Sequence, residues 1–123
     1  MDSRAILRIQ DRTGRGPWRP GCASKWVDAW RTSQLPPIYD DVHDFRKIVS
    51  GAHGAGLHIG CAVRGMDGLG KWFSPMELSR LITQGFGVVD ASGCDVLAET
   101  EHQLLIASKW PLSRLPMAQV AIA

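Results

Sequence analysis

The sequence predicts an α+β fold: one domain over residues 1–123, a mostly antiparallel split sheet of about five strands, one well-capped helix at residues 74–84 and one or two short helices. Three observations point there. Short apolar runs of strand length recur between clusters of Gly, Pro, Asp and Ser. One segment carries a complete set of helix start and stop signals. The length of 123 residues suits a single core, and no repeat, low-complexity tract or linker composition divides it.

The first strand is "AILRIQ" at residues 5–10, an apolar stretch that Gly and Pro punctuation ends. Residues 11–21 are too rich in Gly and Pro for regular structure. "SKWVDAW" allows a short helix capped by Ser24, with Trp26, Val27 and Trp30 on one face. "QLPPIYDDVHDF" reads as a second loop, followed by a short helix around residues 42–49 and a "GAHGAG" connector. "LHIGCAV" at residues 57–63 alternates enough to be a central strand.

The helix at 74–84 rests on the strongest local signals. Ser74 is an N-cap, Pro75 takes the first helical position and Glu77 completes a capping box. Phe73 and Leu78 can staple across the cap, Leu78, Leu81 and Ile82 form an apolar stripe, and Gly85 terminates the helix. Beyond it, "FGVVDA", "DVLA" and "HQLLIAS" read as three further strands, and the Pro-containing end as a terminal strand or docked tail.

Composition bounds the function. With 45% apolar and 21% charged residues the chain is that of a soluble globular protein, and no run approaches the roughly 20 apolar residues of a membrane span. No secretory leader is evident, and three widely spaced cysteines do not suggest a disulfide framework, so a cytoplasmic location is expected. The net charge is +2, unevenly spread. Residues 1–31 hold seven Arg/Lys against three Asp, and the remainder seven against nine acids. The basic end is therefore the candidate face for an anionic partner.

The richest stretch is "RIQDRTGRGPWRPG", residues 8–21. It lacks the Walker lysine and the G-x-G-x-x-G that opens into a helix, and Pro17 and Pro20 remove two backbone donors from any phosphate cradle. Its arginines still suit bidentate contacts to oxyanions. Arg12, Arg15, Trp18 and Arg19 are the candidate contact residues for a protein partner, because Arg and Trp dominate interface hot spots. Nucleic acid is the rival partner, with Trp18, Trp26 and Trp30 as stacking platforms. No paired zinc-ligand motif is present: His58 and Cys61 point to opposite faces of a strand.

A scattered constellation suggests catalysis instead. Arg8 in the first strand and His58 at the central strand are candidates to hold NAD phosphates or ribose. Glu99 and Glu101, in the turn "AETEHQLLIA", are candidates to stabilise the positive charge that develops as nicotinamide leaves. "ILRIQDRTGRGPWRPG" followed far downstream by "ETE" resembles the first strand and E-x-E turn of ADP-ribosyltransferase-like domains. That resemblance implies NAD as cofactor, Arg8 as its phosphate ligand, Glu101 as the transition-state stabiliser and Glu99 as the second acid. The layout from "GLHIGCAVRG" to "ETEHQLLIA" also resembles small proteins of bacteriophages and mobile elements, which implies an alternative role as an inhibitor of a host defence complex such as CRISPR.

Overall fold

Five strands make one open, wholly antiparallel sheet in the computed structural model, which describes residues 5–16, 35 and 38–119. In chain order the elements are β1 (Ile6–Gln10), α1 (Ile38–Asp41), α2 (Phe45–Gly54), β2 (His58–Arg64), α3 (Gly65–Trp72), α4 (Pro75–Thr83), β3 (Gly87–Asp90), β4 (Asp95–Glu99), β5 (Leu104–Ser108) and the 3-10 turn η1 (Leu112–Arg114). The strand order is β3-β1-β2-β5-β4. The predicted α+β class and all five described strands are present, and among the described residues no helix is long and apolar enough to cross a membrane.

Strand alternation divides the core between two faces. Leu7 and Ile9 of β1 join Val63, Leu69, Trp72, Phe73, Leu78 and Leu81 under α3 and α4. Ile6 faces the other way, with Ala62, Leu104, Ile106 and Ala91, and Leu115 packs on that cluster from the segment after η1. β1 is buried along its whole length, as an inner strand covered on both sides must be.

β4 and β5 form a hairpin through residues 100–103. The Thr100 hydroxyl accepts the backbone N–H groups of His102 and Gln103, and Asp41 of α1 accepts bonds from that hydroxyl and from the Gln103 amide. Trp72 Nε1 donates to the His102 carbonyl at 3.1 Å, fastening the same turn to α3.

α4 forms as its caps dictate. The Ser74 hydroxyl accepts the Glu77 N–H at 3.2 Å, the Glu77 carboxylate accepts the Ser74 N–H at 2.8 Å, and Gly85 follows in the left-handed region. Phe73 and Leu78 are both buried, as a staple requires, whereas Ile82 points outward.

Three expectations need correction. The "GAHGAG" segment is not a connector, since α2 continues to Gly54 with Ala52 buried. α3 was not anticipated from its three glycines; buried Leu69 and Trp72 hold it against the sheet. α1 lies within the expected second loop. The C-terminal tail docks as expected: Met117 bridges to Val89, Asp90 N–H donates to the Pro116 carbonyl, and Ala118 N–H to the Val88 carbonyl. The short helix expected at 24–30 lies outside the described residues.

Candidate functional site

The registered pairing of β1 with β2 stops after Ile6↔Arg64 and Leu7↔Val63. Past that point the Arg8 side chain bridges the two strands in place of a backbone ladder. Its Nη1 donates to the Cys61 carbonyl at 2.8 Å, its Nε to Gln10 Oε1 at 2.9 Å, and its Nη2 to the Gly14 carbonyl at 2.8 Å. Gln10 then donates to the Leu112 carbonyl at 2.7 Å, carrying the chain of bonds into η1. Arg8 is 6% exposed and, among the described residues, has no carboxylate partner. Every guanidinium nitrogen is instead taken by a neutral acceptor of the protein.

Gly60 makes the room. A Cβ there would lie 2.8 Å from both Arg8 Nη1 and Leu112 Cδ1, closer than side-chain atoms pack. The neighbouring Cys61 thiol is pushed up in pKa by burial, against the opposing pull of the Arg8 charge.

The same guanidinium orders the loop at residues 11–16. Within it, Asp11 Oδ1 accepts from the Thr13 N–H at 2.8 Å, the Thr13 hydroxyl at 2.6 Å and the Arg15 N–H at 3.0 Å, while Asp11 N–H donates to the Arg15 carbonyl. Partial burial works to raise the Asp11 pKa, but these bonds and the Arg15 charge outweigh it and hold the carboxyl below its ordinary value. Gly14, at φ 89°, sits against η1, where a Cβ would come within 3.1 Å of the Ser113 nitrogen. The loop is therefore clamped from below by Arg8, internally by Asp11 and from the side by η1. Arg12 and Arg15 remain exposed on it.

η1 extends that surface. Arg114 lies over the Trp110 ring, 5.6 Å from its centroid, and Trp110 is 64% exposed. Neither residue was singled out from sequence. The signal was present in "KWPLSR": a proline after the tryptophan stops a strand, and an arginine four residues beyond the tryptophan can fold back over it. Trp18 and Arg19, the other two expected contact residues, lie outside the described residues.

The expected NAD constellation does not assemble. Arg8 is enclosed and each of its three nitrogens already donates to the protein, so it presents no open fork to a phosphate. His58 is exposed at the start of β2, opposite Ser108 at one end of β5, whereas Glu99 of β4 pairs with Leu104 at the other end of β5. Glu99 is already engaged: Arg64 Nε and Nη2 donate to its two carboxylate oxygens at 2.7 and 2.9 Å, and hydrogen bonding to Arg64 chiefly lowers its pKa. The Glu101 side chain is 85% exposed and faces His102 at 3.4 Å. Glu99 and Glu101 line one shallow recess with Arg64 and Lys71, and neither Arg8 nor His58 is part of it. The spacing of strands across the sheet and of residues along β2 separates what the linear motif suggested would converge.

Among the described residues no group of three or more His, Cys, Asp and Glu is placed to hold a metal ion. Comparison with protein-family models, with curated proteins and with solved structures found no match for this chain.

Proposed function

We propose that the chain is a non-catalytic binding protein that docks on an acidic surface of a protein partner through the 11–16 loop and the adjoining η1 turn. One observation carries this reading: exposed Arg12 and Arg15 stand on a loop whose backbone is already fixed by Arg8, Asp11 and η1, beside the exposed Trp110 and Arg114 pair. A surface ordered before the encounter loses little conformational entropy on binding, and Arg and Trp are the side chains that concentrate binding energy. Charge of one sign at the rim would also speed encounter with an acidic partner.

The test places a photo-cross-linking amino acid at Thr13 and, as control, at Arg80 on the exposed face of α4. Irradiation in a bacterial extract should link the Thr13 variant to a defined polypeptide, with linking lost in Arg12→Glu/Arg15→Glu and weakened by salt. Equal products from Arg80, or products that nuclease treatment removes, would reject a protein partner at this face.

A further inference from the structure

A second recess opens beside η1. Its volume is about 360 Å³, within the range of small-ligand pockets. Trp110, Leu115 and Pro116 supply apolar walls, and Ser108 and Cys94 supply polar atoms. Arg114 is the one formally charged side chain among the described residues that line it.

The walls are set in advance. Trp110 N–H donates to the Ser108 hydroxyl at 3.1 Å, Arg114 N–H to the Pro111 carbonyl at 3.0 Å and Leu115 N–H to the Leu112 carbonyl at 3.1 Å. Leu115 and Cys94 are at the same time anchored on the apolar cluster of the sheet. Flat apolar walls select a planar apolar body, and the guanidinium selects an anion. Because Arg114 lies 5.6 Å above the Trp110 centroid, the anion must sit close to the ring that packs on these walls. A carboxylate on the ring, or one carbon from it, meets that demand. A nucleoside 5′-phosphate, with a ribose between base and anion, does not. Burial chiefly pushes the Cys94 thiol up in pKa, the Asp95 and Asp90 charges add to that, and the Arg8 charge opposes it; neither aspartate lines the recess.

We infer that this recess is a binding site for a small aromatic carboxylate, with the ring against Trp110 and Leu115 and the acid on Arg114. The recess shares Trp110 and Arg114 with the proposed protein contact, but small-ligand protection is read on the chain by itself and cross-linking is read at Thr13, so either reading can fail without the other.

Cys94 lines the recess and provides the readout. The full chain is alkylated with N-ethylmaleimide, and the rate at Cys94 is followed by peptide mass spectrometry, with indole-3-acetate, indole-3-acetamide or AMP present. Indole-3-acetate should slow Cys94 alkylation saturably, with the acetamide about tenfold weaker through loss of one charge-assisted hydrogen bond. AMP should be weaker still. Arg114→Gln should bring the acid down to the level of the amide, and Trp110→Ala should abolish protection by both. Both side chains are exposed, so melting followed by circular dichroism should show either variant folded. Absence of protection at millimolar acid, equal protection by acid and amide, or stronger protection by AMP overturns the assignment.

Discussion

Replacing Arg8 by Met tests whether this arginine is a structural tie. The substitution removes three donors and leaves the carbonyls of Cys61 and Gly14 and the Gln10 amide oxygen without the partner they have now. A buried acceptor left unsatisfied costs about 1–3 kcal/mol, and three at the low end come to about 3 kcal/mol. Release of a buried cation without a carboxylate partner offsets part of this, since desolvating a charge is expensive. Met fills much of the volume, so the net loss expected is about 2–4 kcal/mol. In urea unfolding, at a slope of about 1.5 kcal/mol/M, the midpoint should fall by roughly 1.3–2.7 M with the slope unchanged. Arg8→Lys keeps the charge and loses the fork, so it should do no better than Met. Gly60→Ala adds a methyl 2.8 Å from Nη1 and should cost about 1–3 kcal/mol alone, and less in the Arg8→Met background. A midpoint within 0.3 M of the parent for Arg8→Met, or full stability of Arg8→Lys, would refute the tie.

Glu77→Ala removes half of the capping box on α4 and should cost about 1 kcal/mol, read as a shift of the denaturation midpoint. Glu101→Ala, on a side chain that is 85% exposed, should change stability by less than about 0.5 kcal/mol, and a thermal scan with millimolar NAD should show no shift that this variant abolishes. Asp11, Asp90 and Glu99 all have pKa values lowered in the folded chain. The stability each adds is complete above its ordinary pKa and drains away as pH falls through the lower folded value, so the midpoint should drop on acidification below about pH 4. Asp11→Asn should flatten that decline, and a pH profile identical to the parent would count against the Asx-bonded loop.

Local chemistry made the helix at 74–84 readable: Ser74, Pro75, Glu77 and Gly85 act within one or two turns of their own backbone, and nothing distant competes with them. The strands were readable because their apolar runs are short and bounded by turn residues. α3 was not, because Gly65, Gly68 and Gly70 mask a helix whose stability comes from burying Leu69 and Trp72 on the sheet. Gly68 is in fact suited to that contact, since a Cβ there would crowd Val63 at 3.2 Å. Of the candidate site, Arg12 and Arg15 stand out in the sequence by residue type within a Gly- and Pro-rich loop, and the structure adds that they are exposed on it; the burial of Arg8 depends on where β1 and β2 part company, which no periodicity reveals. Glu99 and His58 looked like one cluster because their separation depends on strand order and register, not on spacing in sequence.

The placement of β1 carries a kinetic consequence. Its partners are β2 and β3, so Leu7 must find Val63 and Asp90, both far along the chain, whereas the β4–β5 hairpin and the β2–α3 unit close over short loops. Closing long loops costs entropy before any contact repays it. β1, and with it β3, which reaches the sheet only through β1, is therefore expected to join after β2, β5 and β4 have paired. Substitutions at Leu7, Arg8 and Ile9 should then leave the refolding rate almost unchanged and appear as faster unfolding, so the buried guanidinium acts as a latch on the lifetime of the finished protein.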